Sequence, residues 1–239
     1  MQIEGKNAVG AALMGKQTIE KIYIQNNINS PELIRKIKES GFQYQFIDKN
    51  ALDRMSKQKN HQGFIAAVSS FKYYSLDDII NEGYKKGNQP LLLILDGVED
   101  PHNLGNILRT AECMGVDGVI IPKNRAADVN DTVIRVSAGA AGFIKVCKVT
   151  NINQEIERLK SVGFWIYAAE AGGVDISHTN MKGPIAVVLG GENTGVKQLT
   201  SKLCDGIVSI ITSGKTPSLN VGSAAAMVLY EINRQRAIK

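Results

Sequence analysis

Three segments of the sequence gather side chains able to handle a polar ligand, each just after an apolar run. The first, DPHNLGNILRTA at 100–111, follows LLLILDGVE and sets Asn103, Asn106 and Arg109 on the opening turns of a helix. A fixed cation with two amides there means that something polar is expected at the top of the strand. The second, GGENTGVK, places the carboxylate of Glu192 in a glycine-rich turn after IAVVLG. The third, SGKTPSLNVGSAAA, follows GIVSII and offers Ser218 and Asn220 in a glycine- and proline-containing loop. Such a loop lets a ligand come close to backbone.

Taken singly, each segment has an ordinary structural role. Arg109 could reach solvent from a capped helix whose Ile107, Leu108, Ala111 and Met114 pack inward. Glu192 could sit at a helix start near the positive dipole end. Ser218 could cap the last helix, with Gly222, Ser223, Ala224, Ala225 and Ala226 allowing close packing. The residues depart from a phosphate-binding P-loop, because Val196 stands between Gly195 and Lys197 and Gln198 replaces the magnesium-binding hydroxyl. No strand is followed by the dinucleotide fingerprint, which leaves an NAD-linked oxidoreductase without its motif. His61, His102 and His178 form no metal spacing and show no recognisable Asp or Ser partner, so none is read as catalytic.

The elements that must position these segments follow a βαβ rhythm. The apolar runs LLLILD, GVII, FIKVCKV, FWIYAAE, IAVVLG and GIVSII lack clean alternation. NILRTAECMG, DTVIRVSAGAA, QEIERLKSVG and TGVKQLTSKL read as helices between most of them. That pattern predicts a parallel sheet covered on both faces, whose ligands collect at the carboxyl ends of the strands. Residues 5–70 read as a separate compact α/β unit. There GKNAVGAALMGKQ is an amphipathic helix, KIYIQ a strand, Ser30-Pro31 the capped start of ELIRKIKESG, QYQFID a strand, ALDRMSKQ a short helix and GFIAAVSSF a last strand. One short helix ending at Gly83 and the polar KKGNQP fill the gap between them. The predicted division is a small α/β domain over 1–72, a linker over 73–90 and an α/β domain over 91–239.

Bulk properties narrow the setting. The 239 residues are 44% hydrophobic and 21% charged, enough apolar matter for a sizeable core. The net charge of +5 is uneven: residues 1–88 carry 13 Lys and Arg against 9 Asp and Glu, so most of the surplus lies in the front third. A polyanion partner and a solvated lysine-rich face explain that equally well. Cys113, Cys147 and Cys204 are odd in number and widely spaced, which reads as reduced thiols. No signal pattern or membrane-spanning run is visible, so the expected setting is cytoplasmic, with no membrane partner.

In order and spacing, the three segments resemble the signature motifs of the SpoU/TrmH class of RNA ribose 2′-O-methyltransferases, within the SPOUT superfamily. The resemblance covers residues 91 to 236. GKNAVGAAL, HQGFIAAV at 61–68, IPKNRAADVN at 121–130 and SAGAA at 137–141 are similar to the branch that methylates a guanosine of 23S ribosomal RNA, often called RlmB. The resemblance implies a small RNA-binding domain followed by a parallel-sheet domain with a C-terminal trefoil knot, acting as a homodimer. General topology rules would have excluded a knot, so that expectation comes from the resemblance alone.

The same resemblance implies S-adenosylmethionine as methyl donor, an RNA ribose hydroxyl as acceptor, and no metal. Residue by residue, it assigns Asn103, Arg109, Glu192, Ser218 and Asn220 to catalysis, and Gly190, Ile210 and Leu219 to donor binding. A sulfonium methyl is already electrophilic, so the protein must align it with the 2′-oxygen and assist loss of that oxygen's proton. Arg109 is the family's central catalytic residue, as base or as phosphate clamp; an always-protonated guanidinium favours the clamp. Ile211 and Thr212 stand where the family commonly has proline-methionine, Gly222 where it has serine, and Val196-Lys197 where an apolar pair is usual. These departures read as tuning of the donor pocket. The rivals are the same chemistry on transfer RNA and a non-catalytic RNA-binding paralogue, the latter opposed by the intact polar residues.

Overall fold

The computed structural model describes residues 2–14, 18–56, 60–69, 71–85, 89–192, 194–216 and 218–237. Parts of the segments singled out above (15–17, 57–58, Ser70, 86–88, Asn193 and Pro217) lie outside them. The chain divides into two compact units, Met1–Lys72 and Tyr73–Lys239.

The first unit builds a four-stranded sheet from β1 (Gln2–Glu4), β2 (Thr18–Gln25), β3 (Tyr44–Ile47) and β4 (Phe64–Ser69), in the order β1-β4-β2-β3. Helices α1 (Lys6–Met14), α2 (Pro31–Glu39) and α3 (Lys49–Met55) accompany it. Val9, Leu33 and Ile37 from the helices meet Ile22, Ile24, Phe64 and Ala66 from the strands in one core. Ser30 stands at the N-cap position of α2 but makes no capping bond, and its hydroxyl is buried without a partner among the described residues. Asp48 does cap α3, accepting from the Ala51 N–H at 2.8 Å. His61 is not the isolated histidine expected: its ring takes the Gly63 N–H on Nδ1 at 3.0 Å and pairs through Nε2 with Asp53 at 2.7 Å. The pair ties α3 to the turn that leads into β4.

In the second unit, α4 (Leu76–Lys85) precedes a six-stranded sheet. Its strands are β5 (Leu91–Asp96), β6 (Gly118–Pro122), β7 (Val146–Val149), β8 (Trp165–Asp175), β9 (Ile185–Gly190) and β10 (Gly206–Ser209). All pairings are parallel, in the order β10-β8-β9-β5-β6-β7. Strand β5 is buried along its whole length, the signature of an unbroken apolar run in a covered parallel sheet. Helix α4 runs through Gly83 rather than stopping there, because Gly83 is a packing position: a Cβ on it would meet Pro90 at 2.8 Å. Helices α5 (Pro101–Cys113), α6 (Asp131–Val136), α7 (Ile152–Ser161), α8 (Gln198–Leu203) and α9 (Val221–Ala237) complete the unit. Helix α9 packs along α5. Its residues Val221, Gly222, Ala225, Val228, Leu229 and Ile232 are buried. Among the described residues, no helix is long and apolar enough to cross a membrane.

Candidate active site

The site forms where β5 and β9 end side by side, with Asp96 in register with Gly190. The chain turns sharply after each strand. Gly191 pairs back on Gly195, and the Gly195 N–H donates to the Gly191 carbonyl at 2.9 Å. A Cβ on Gly190 would lie 1.9 Å from the Gly195 carbonyl carbon, and one on Gly191 would lie 2.1 Å from the Gly97 oxygen. Only glycine permits this double approach of backbone to backbone.

Helix α5 starts directly above. Asp100 caps it, accepting from the His102 N–H at 2.9 Å, and Pro101 occupies the first turn. The opening turn aims Asn103 inward, where it is 6% exposed. Its Nδ2 donates to Glu192 Oε1 at 2.7 Å, and its Oδ1 accepts from Asn220 Nδ2 at 3.0 Å. Asn220 Nδ2 also donates to Glu192 Oε1 at 3.0 Å. The other amide atom, Asn220 Oδ1, accepts from the Gly222 N–H at 2.9 Å and the Ser223 N–H at 3.4 Å. Asn220, not Ser218, therefore caps α9, and Glu192 is not a helix-start residue, since α8 begins only at Gln198. Three loops far apart in sequence thus meet through one carboxylate and two amides.

Arg109 stands apart from that cluster. It is exposed on α5 and, among the described residues, makes no hydrogen bond or ion pair. Asn103 does not hold it, because both of its amide atoms are engaged with Glu192 and Asn220. Ser218 is exposed in the loop before Asn220, and Leu219 beside it is 39% exposed. Ile210 lies past the end of β10, two strands from Gly190, and lines a depression of about 490 Å³ with Met114, Ile176, Met227 and Tyr230.

One feature of the site escaped the sequence. Asp96, the last residue of β5, is 1% exposed. Its carboxylate accepts from the Lys197 N–H at 3.1 Å and pairs with the Lys197 ammonium. The Asp96 carbonyl accepts from the Gly191 N–H at 3.0 Å. Asp96 and Lys197 together fasten the glycine turn at both ends. The available signal was a lone carboxylate closing an otherwise apolar central strand, which cannot stay charged and buried without a partner.

This architecture is that of the SPOUT methyltransferases. AviRb, a SpoU methyltransferase of Streptomyces viridochromogenes solved in complex with AdoMet, superposes with a TM-score of 0.63 over 99% of this chain and 90% of its own, at 22% identity. A TrmH/SpoU tRNA modifying enzyme of A. aeolicus matches with a TM-score of 0.57 over 67% of this chain and 84% of its own, at 26% identity. Residues 90–230 match the family model of the SpoU rRNA methylases, and residues 2–74 match that of RNA 2′-O ribose methyltransferase substrate binding. A Bacillus subtilis protein named for the TrmH family of tRNA/rRNA methyltransferases is 37% identical over 97% of this chain and 94% of its own length. A Synechocystis protein described as an uncharacterized tRNA/rRNA methyltransferase is 39% identical over 97% of this chain, which spans 62% of that protein. The chain belongs to the SpoU/TrmH family of RNA methyltransferases.

Proposed function

We propose that the protein transfers a methyl group from S-adenosylmethionine to a ribose 2′-hydroxyl of RNA, with a guanosine of 23S ribosomal RNA as the favoured acceptor and cytoplasmic ribosomal RNA processing as the setting. The observation that carries the reading is the Asn103–Glu192–Asn220 cluster, which joins all three motif segments, with Arg109 exposed further along α5 and unpaired among the described residues. The residues assigned to the donor fit such a molecule. Gly190 keeps the turn free of side chain, and Leu219 and Ile210 offer partly exposed apolar surface.

When bound, the donor supplies an electrophilic methyl on a sulfonium. The chain's own work is to place a 2′-oxygen in line with it and to stabilise charge there. The Arg109 guanidinium clamps the acceptor's phosphate and offsets the charge growing on the 2′-oxygen. Ser218 and the Glu192–Asn220 pair form the polar wall facing it, and Asn103 acts from behind by holding that wall in place.

The strand order supports the knot expectation. The chain leaves β10 at the sheet edge and must pass β8 and β9 to bring Asn220 to Glu192 and α9 onto α5. Partly exposed Ile211, Met227 and Tyr230 beside the Ile210 depression support homodimerisation through this face. In the first unit, exposed Lys38, Lys49 and Arg54, unpaired among the described residues, suit RNA phosphates. The test is transfer of tritiated methyl to unmodified ribosomal and transfer RNA, with nucleoside mapping. Label in a ribosomal guanosine is expected; label confined to transfer RNA would overturn the acceptor, and none in either would favour a non-catalytic role.

A further inference from the structure

The second unit carries an exposed aromatic that the methyl-transfer chemistry leaves unused. Phe143 is 82% exposed, although the residues on either side of its turn are buried. The sequence FIKVCKV suggests that it begins a strand, yet β7 starts only at Val146. Residues 137–144 instead form a tight, internally bonded turn. The Ala140 N–H donates to the Ser137 carbonyl at 3.0 Å, the Gly142 N–H to Gly139 at 2.9 Å, and the Phe143 N–H to Ala140 at 2.9 Å. Ser137, fully buried, accepts from the Ala141 N–H through its hydroxyl at 3.3 Å. Ala138 is held at φ +51 and Gly139 at φ +89, so the turn keeps a left-handed conformation that alanine disfavours. A phenyl ring is therefore presented to solvent on a rigid mount, at the cost of backbone strain.

The mount stands beside the catalytic helix. The 3-10 turn Ala140–Gly142 packs on α5, and so does α6. A Cβ on Gly105 would meet Val136 at 2.7 Å, so α6 and α5 are in backbone-close contact there. Arg109 lies one helical turn beyond Gly105 on the same side of α5, roughly 6 Å along it. One exposed cation, Arg135 on α6, leads directly into the turn, its carbonyl accepting from the Ala138 N–H at 3.1 Å. Among the described residues its side chain has no ion pair or hydrogen bond, whereas the half-buried Lys145, two residues after Phe143, is paired with Glu82. An unpaired cation at the foot of a turn that presents an aromatic suits a strand that carries both phosphates and unstacked bases.

We propose that this turn is an RNA-contact surface of the catalytic unit, on which Phe143 stacks an unpaired base next to the nucleotide held by Arg109, while Arg135 takes a flanking phosphate. The proposal rests on the RNA-methyltransferase reading and adds a positioning residue to it. It also requires the acceptor to be presented in single-stranded form, since only unstacked bases expose a face to an aromatic side chain.

The test uses the full chain, a fluorescent single-stranded RNA 20-mer of mixed sequence, and the tritiated methyl assay. F143A is expected to weaken 20-mer binding about ten-fold and to raise the KM for RNA comparably, with the KM for S-adenosylmethionine unchanged. F143W should restore both, which a merely structural role would not produce. R135A should flatten the salt dependence of binding by about one counterion. Unchanged 20-mer affinity and RNA KM in F143A would overturn the proposal. So would unchanged RNA affinity with a loss of self-association in sedimentation, which would mark Phe143 as a contact with a second copy of the chain. If the wild-type chain methylates no RNA while F143A still loses 20-mer affinity, the catalytic reading falls and this surface stands; methylation insensitive to F143A gives the reverse.

Discussion

Replacing Asn103 with aspartate tests the site's wiring with one atom changed. The Nδ2 that donates to Glu192 Oε1 at 2.7 Å becomes a carboxylate oxygen, so two acceptors face each other. Two unit charges about 3 Å apart repel by ~6 kcal/mol at an effective dielectric of 20 and by ~1 kcal/mol in bulk water. Asn103 is buried and Glu192 exposed, so the cost falls between those limits, at about 2–3 kcal/mol with the lost hydrogen bond included. The repulsion would hold one carboxyl of the pair protonated above its usual range. The variant is thus destabilised above that raised pKa, and it recovers stability as the pH falls through it and the two carboxyls share a proton. Urea unfolding of Asn103→Asp, Asn103→Ala and wild type from pH 8 to 4.5 measures this. The expected result is a gap between the aspartate variant and wild type that narrows toward pH 4.5, while the gap for the alanine variant stays flat. Equal and pH-independent losses for the two variants would refute the direct bond between Asn103 and Glu192.

Other outcomes follow from neighbouring contacts. Lys197→Met removes the ammonium from the buried Asp96 carboxylate; losing one partner of a buried pair costs ~3–5 kcal/mol, reduced here to about 2 because the lysine side chain is half exposed. Its KM for S-adenosylmethionine should rise well above wild type while the RNA KM holds, and Asp96→Asn in the same chain should recover part of the stability lost in urea. Glu231 accepts from Arg234 Nε and Nη2, each at 2.8 Å, and from Gln235 at 2.9 Å, which pulls its carboxyl down to about 2. A lowered carboxyl stabilises the fold above its unfolded range near 4.5 and ceases to do so as pH falls through 2. Thermal scans should therefore show wild type more stable than Glu231→Gln at pH 6 and the two converging near pH 2. Burial pushes the Cys147 thiol up to about 11 and the Cys204 thiol up to about 12, whereas Cys113 is exposed. A thiol-specific reagent at pH 8 should modify one cysteine of the native protein quickly and the other two only on unfolding.

The legible parts of this fold are those where one local signal decides. Strand β5 was readable because its six residues are all buried and its first five all apolar, and α5 because Asp100 and Pro101 mark its start. Strand β8 was readable only in its first half. Its second half, AGGVD, has no apolar pattern and pairs with β10 after a shift, with Ile207 opposite Ala168 but Val208 opposite Val174. Strand β1, three half-buried residues long, is held by β4 and carries no periodicity of its own. The site shows the same division. Asn103, Glu192 and Asn220 stood out by type and position, but their mutual bonds span 28 to 117 residues and depend on a sheet order that periodicity does not encode. The Asp96–Lys197 pair was missed for that reason, and Ser218 was a plausible cap until Asn220 took the place.

In the proposed reaction, Arg109 acts on an RNA acceptor whose ribose the Asn103–Glu192–Asn220 cluster faces. The most direct test is single-turnover transfer of tritiated methyl from S-adenosylmethionine to unmodified ribosomal RNA by wild type, Arg109→Lys and Arg109→Ala, with donor affinity measured in parallel. Wild type should place label in a ribose 2′-O-methyl nucleoside, and both variants should lose at least about a hundred-fold in rate with donor affinity unchanged. Near wild-type turnover by Arg109→Lys would contradict the bidentate clamp, and label on a base rather than a ribose would contradict the account itself.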